Sequence, residues 1–523
     1  MKSLKFSKFQ LTNIIIGFIV AIILILSIKG QVGNPSILDL KTPFWVNNGP
    51  LELSPDRGRF ALLYSIVENN SFQFTNDIAS YAAPDVGYDN GKFVSLFAPG
   101  LSLIIIPGYI LGYILGASVV GTIAIITAFS IINFILIRKI CLRLDTGVFS
   151  ANIAALTFLF ATNAFSYGVS LYQHHVTVSL ILFSIYALMA FRPVIALSVV
   201  WVLCIVGIMV DYPNFFLMFP IGVYALTKIL VVNKVGENFT FKLNTFYLAT
   251  VLIAIIPLFL FAKINQESYG SPTKLAGTVS QVKNFETEIS DEHKPVDSLD
   301  TKLIINEQTE SDRNAVGFFE TRDMLRGFSI LLISPDRGVV FYTPVILLGL
   351  LGFAFLYRRD TGLGNLFLSI ILINLVLYSM WGDPWGGWAF GPRYLIPSFA
   401  ILSILLGLAF KNYRRNIFFV LAFTALFTYS LYVNTAGALS SNAVPPQVEV
   451  LKLEELSGQI QRYTFKRNTD LLNVNASKSF VFNTFVKDSL NSWQYFWIIF
   501  TTVFTVTIWC VFSAFFGSKN EKN

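Results

Sequence analysis

Apolar runs of about 17 residues or more recur along almost the whole chain, and a run of that length is what an α-helix needs to cross the hydrocarbon of a bilayer. They fall at residues 12–28, 118–137, 149–166, 176–191, 194–210, 214–231, 245–263, 340–357, 362–381, 394–410, 416–433 and 493–516. A water-soluble core cannot hide that many. Composition agrees, since 54% of the 523 residues are hydrophobic and 13% are charged, against roughly a quarter charged in an ordinary soluble protein. The expected fold class is an all-α polytopic membrane protein with about twelve transmembrane helices. The formal charge of +7 is spread in twos and threes between the apolar runs, which argues for topology and against a nucleic-acid partner. Cys141, Cys204 and Cys510 stand far apart, so no disulfide framework or thiolate metal site is expected.

The first run follows Lys2, Lys5 and Lys8 with no small-residue cleavage site after it, and reads as an uncleaved anchor with a cytoplasmic N-terminus. One further stretch, residues 99–116, is equally apolar but is broken by Pro99, Gly100, Pro107, Gly108, Gly112 and Gly116, residues that weaken a helix interior. Charge decides its role. If it does not cross, the connections carrying Arg138, Lys139 and Arg143, Arg192, Lys228, Lys234 and Lys242, Arg358 and Arg359, and Lys411, Arg414 and Arg415, with the Lys519 and Lys522 tail, all lie on the N-terminal side. The stretch is therefore expected as a juxtamembrane helix on the outer face. The expected location is the cell membrane, multi-pass, with both termini cytoplasmic and membrane lipid as a partner. Three long loops, residues 29–98, 264–338 and 435–491, then share the outer face. The chain divides into a core, residues 1–433, which includes the first two of these loops, and a final part, residues 434–523, of outer loop, last helix and tail. The stretch 284–314 is charged and poor in aromatics, as expected of a solvated excursion with His293 as a surface histidine.

The spans carry essentially no charge, which disfavours ion-coupled transport. Asp211 in "DYPN" ends a span, and its ordinary role is a turn or cap. The outer loops are richer. Ser54 is placed to cap a helix starting at Pro55, with Phe60, Leu63, Tyr64 and Val67 as an apolar stripe lying along the membrane. Asp56 and Arg59 share the face of its first turn. They read either as a helix start with its pairing cation, or as a general base toward an acceptor hydroxyl beside a phosphate-binding arginine. Asp85, Asp89 and Lys92 lie in "APDVGYDNGKFVSLFAPG", which also reads as a turn. "SYGVSLYQHH" presents Tyr172, His174 and His175, whose adjacent histidines point different ways on a helix and do not make a metal pair. "WGDPWGGWAFGPRYLIP" gathers tryptophans and glycines around Asp383, Arg393 and Tyr394. An aromatic belt accounts for the tryptophans, but the glycines and prolines around one arginine bring backbone close to something, and arginine is the preferred phosphate partner in a partly dry site. "SPDRG" occurs at residues 54–58 and again at 334–338, an echo and not a repeat architecture.

Taken in order, "SPDRGRFALLYSIVE", "DNGKFVSLFAPGLSLIIIPGYILG", "SYGVSLYQHH", "NQESYGSP", "SPDRGVVFYTPVILLGLLG" and "GDPWGGWAFGPRYLIP" resemble the GT-C superfamily of membrane glycosyltransferases. The layout is similar to relatives of dolichyl-phosphate-mannose protein mannosyltransferase and of the bacterial lipid A aminoarabinose transferase, in an uncharacterised prokaryotic branch. The resemblance implies transfer of a sugar from a polyprenyl-phosphate donor to a lipid, glycan or protein acceptor on the outer face. It implies Asp56 as catalytic base, with Arg59 and Arg393 near the donor phosphate and Asp85, Asp89, Lys92, His174, His175, Tyr269, Asp383 and Tyr394 as substrate-binding residues. No cofactor is obligatory for such a displacement, which leaves a divalent metal open. Arg57 stands where the family has a second acid, so that role, if used, falls to Asp77, Asp85 or Asp89. The rival readings are a lipid-linked sugar flippase, which needs a polar path through the spans, and a non-catalytic assembly subunit.

Overall fold

The computed structural model describes residues 8–235, 238–282, 284–287, 301–304 and 319–517. Lys2, Lys5, His293, Lys519 and Lys522 lie outside the described residues, as does most of the stretch 284–314. The chain is mainly helical. Among the described residues seven helices are long and apolar enough to cross a membrane: Ser118–Arg143, Pro193–Val210, Thr245–Tyr269, Thr361–Ser379, Arg393–Tyr413, Ile417–Leu439 and Ser492–Phe516. Four shorter apolar helices, Thr12–Ser27, Val148–Phe160, His174–Ala190 and Asn214–Ile229, cover four more of the expected runs. The remaining run forms a 3-10 segment, Pro344–Gly352, that continues into the helix Phe353–Arg359. Outward faces are apolar, with Leu252, Ile256 and Phe259 among the most exposed side chains. Such faces are unfavourable in water and at rest in hydrocarbon, so the protein is membrane-embedded.

One helix has no lipid face. Every residue from Ile396 to Phe410 is buried, which makes this helix the central pillar. It is gripped by Pro344–Gly352, whose Gly349 and Gly352 sit against the carbonyls of Leu402 and Leu405, where a Cβ would collide with them. Arg393 stands at the pillar's end, directed by that packing.

The stretch 99–116 breaks into two short helices, Gly100–Ile104 and Ile106–Ile114, and Gly116 ends the second with φ of +74°. Its glycines are contact points as well as breaks. Gly108 and Gly112 lie backbone to backbone on Gly121 of the helix Ser118–Arg143, where a Cβ on Gly108 or Gly121 would run into the other's carbonyl.

The loops contain strand that an all-α reading does not anticipate. Strands β1 (Gln73–Phe74), β2 (Val86–Asp89), β3 (Lys92–Ser95) and β4 (Ser280–Val282) make one antiparallel sheet in the order β1-β3-β2-β4. β2 and β3 form a hairpin through Asn90 and Gly91, both at positive φ, the chemistry of a two-residue turn. β4 comes from the middle loop and pairs Val86 with Val282 and Tyr88 with Ser280, so the first two long loops close over the same end of the bundle. The third joins them, because Lys29 bridges Ser479 and Gly30 donates to the Lys478 carbonyl at 3.2 Å. The expected boundary after residue 433 falls inside the helix Ile417–Leu439, and the final part is woven into the same body. Residues Asn284–Thr287 pair with Thr301–Ile304, giving that part of the excursion a ladder.

Candidate functional site

The helix Ser54–Glu68 starts at this end of the bundle, with Pro55 in its first turn. The cap residue is Leu53, whose side chain has no acceptor, so no side chain caps the helix, and Ser54 lies in the first turn with its hydroxyl toward Asp85. The expectation of a surface helix buried along one stripe is corrected here: Ala61, Leu62 and Ser65 are buried along with Phe60 and Leu63, since the sheet covers the side that would otherwise face water. This enclosure takes Asp56 to 1% exposure.

Four elements converge on Asp56. Arg59 turns away from it: Nη1 donates to the Pro55 carbonyl at 2.9 Å, and Cζ sits 4.3 Å over the Phe97 ring. Ser102 of the helix Gly100–Ile104 fixes the same turn by donating to the Arg59 carbonyl at 2.9 Å. From the segment between the helices Val148–Phe160 and His174–Ala190 come Tyr167, Tyr172 and His174, all buried, with the Tyr172 and His174 rings stacked at 5.9 Å. From the pillar comes Arg393, whose Cζ lies 5.3 Å over Tyr172 and 5.4 Å from Tyr394. Tyr394 in turn stacks on Tyr378 at 4.1 Å.

The polar atoms here are unequally served. Arg393 Nη2 donates to the Gly386 carbonyl at 2.6 Å. Its Nε and Nη1, together with Asp56 Oδ1, Tyr172 Oη and His174 Nε2, are buried and make no hydrogen bond of good geometry, although Tyr172 lies close enough to Asp56, and Tyr394 to Arg393, to interact with their charges. Buried polar groups are normally satisfied, so five in one cluster define a site shaped for something polar. Burial pushes the Asp56 carboxyl up to about 7; Glu52 raises it further, while Tyr172, Arg59 and Arg393 oppose the shift. Asp85 and Asp211 flank the arginines and are also raised, chiefly by burial. Asp211 Oδ2 accepts from Gln173 Nε2 at 2.9 Å. Beneath the site Lys29 is fully buried, donates to Asn442 Oδ1 at 3.1 Å, and is pushed down to about 8 by burial, against the pull of Glu52 and Asp56.

Of the residues singled out in the sequence, Asp56, Arg59, Asp85, His174, Arg393 and Tyr394 come together. His175 does not, because its ring is committed to the Ala164 carbonyl at 2.7 Å and to Asn133 at 3.2 Å. Tyr269 is structural, donating to the Ser95 carbonyl at 3.2 Å. Asp89 pairs with Lys274 at 2.7 Å and Asp77 with Lys41 at 3.2 Å, both away from the cluster. Lys92 is exposed at the hairpin. Asp383 is exposed and accepts from the Gly387 amide. The sequence left Asp211 between a turn and a site role and did not single out Lys29, although a charge directly beyond a span was a usable signal. Among the described residues no group of three or more His, Cys, Asp or Glu is placed to hold a metal ion.

No protein-family model, curated protein or solved structure matches this chain.

Proposed function

We propose that the protein is a membrane glycosyltransferase of the GT-C type, which moves a sugar from a polyprenyl-phosphate donor to a hydroxyl on a lipid, glycan or protein acceptor at the outer face of the cell membrane. The observation that carries the reading is the pairing of an enclosed carboxylate, Asp56, with an arginine, Arg393, that keeps two buried N–H groups unspent. Asp56 takes the proton of the acceptor hydroxyl, whose oxygen forms a bond to the anomeric carbon as the bond from that carbon to the phosphate oxygen breaks. The electron pair leaves with the polyprenyl phosphate, and Arg393 and Arg59 neutralise the charge that grows there. A base titrating near neutrality suits that proton transfer. The site needs no group beyond these for the displacement.

Twelve crossings with both termini in the cytoplasm fit the strand pairing. Six helical runs separate residues 86–88 from residues 280–282, and the two segments share a sheet, which supports an even number of crossings between them and a stretch 99–116 that does not cross. The basic connections then lie inside. The test is transfer from radiolabelled polyprenyl-phosphate sugars in proteoliposomes. Wild-type transfer that Asp56→Asn and Arg393→Ala abolish, in folded protein, supports the reading; movement of intact lipid-linked sugar without cleavage, or normal transfer by Asp56→Asn, overturns it.

A further inference from the structure

The arginine of the second "SPDRG" is the largest of the fully buried side chains among the described residues. Arg337 spends its guanidinium on backbone. Nε donates to the Trp385 carbonyl at 2.9 Å, Nη2 to those of Gly387 at 2.9 Å and Val444 at 3.0 Å, and Nη1 to that of Asp336 at 2.7 Å. Asp336 is held as well, accepting from Ser334 and from the Gln447 amide at 3.1 Å. The carbonyl between the two loop carbonyls that Arg337 grips is that of Gly386, the one that receives Arg393 Nη2. Gly386 and Gly387 have φ of +71° and +61°, a conformation that holds three successive carbonyls in fixed but different directions and that other residues rarely adopt.

The geometry points to Arg337 as a positioning residue: by clamping the carbonyls on either side of Gly386 it aims the one acceptor that orients Arg393, leaving the other two N–H groups of Arg393 directed at a donor phosphate. The inference rests on the reading of Arg393 as a phosphate ligand. Lysine cannot replace this fork, because an ammonium has three donors and no planar geometry.

Binding of farnesyl phosphate to the full-length protein in detergent, by calorimetry, separates the two claims. Wild-type binding that Arg393→Lys weakens at least tenfold supports the phosphate reading; no such loss overturns it. Arg337→Lys is then expected to weaken binding by a similar factor, and the double variant to be no weaker than Arg393→Lys alone, the non-additivity of residues acting in series. Gly387→Ala strains the same left-handed turn without reaching either arginine, as its Cβ would meet only Asp383 Oδ2, at 3.8 Å, and is expected to reproduce the defect if Arg337→Lys fails to fold. Full binding by Arg337→Lys and Gly387→Ala, or additive losses in the double variant, would sink the proposal while leaving Arg393 as a ligand.

Discussion

Because Asp56 is enclosed, its proton is held to about pH 7 instead of about 4, burial outweighing Tyr172 and the two arginines. The folded state then binds more protons than the unfolded chain between those values, so stability falls as pH rises through that window. Asp56→Asn is expected to stabilise the protein at pH 8, by on the order of a few kcal/mol, and to make no difference below pH 4; the apparent melting temperature in detergent against pH checks this. The same change is expected to lower transfer by roughly 10²-fold or more. Wild-type activity should rise with pH through about 7, as Asp56 becomes able to accept a proton. Its neighbours give that limb a sign. Lys29→Met removes a cation that favours the carboxylate and should move the limb to higher pH, whereas Glu52→Gln removes an anion that raises Asp56 and should move it lower. pH–rate profiles with both limbs unmoved would separate Asp56 from the proton transfer.

At the scale of elements, the glycines of the juxtamembrane helix decide how deeply it seats. Gly108 and Gly121 meet backbone to backbone, so Gly121→Val should cost about 1–3 kcal/mol by overpacking and loosen Ser102 from the Arg59 carbonyl. Gly17, inside the helix Lys8–Ser27, has nothing within 4 Å of a Cβ. Gly17→Ala should therefore be neutral or slightly stabilising. Melting temperatures of the two variants compare a glycine kept for contact with one that is not; equal effects would remove the packing argument. The second "SPDRG" shows the same distinction among arginines, since Arg337 is wholly consumed by carbonyls while Arg393 is not.

At the scale of the whole molecule, the sheet that joins the first two loops requires both on one side of the membrane. Single cysteines at the exposed positions Lys92 and Lys452, in a background lacking Cys141, Cys204 and Cys510, should react with a membrane-impermeant maleimide in intact cells. Cysteines at Arg358 and Lys411 should react only after permeabilisation. Labelling of Lys92 and Arg358 positions from the same side would contradict the proposed topology.

The apolar runs and the scattered basic residues determined by themselves that the chain enters a membrane and where its helices lie, because hydrocarbon accepts only backbone that satisfies itself within each segment. Asp56, Arg59 and Arg393 were legible as candidates too, as charged residues beside glycine and proline in the loop 29–98 and at the start of a span. The sheet was not, since β4 is three residues long and pairs across nearly 200 positions of chain. Nor were Asp211 beside the two arginines and Lys29 beside Asp56, or the two fates of "SPDRG". Those depend on which buried donor finds which acceptor, and distant segments settle that only when they pack.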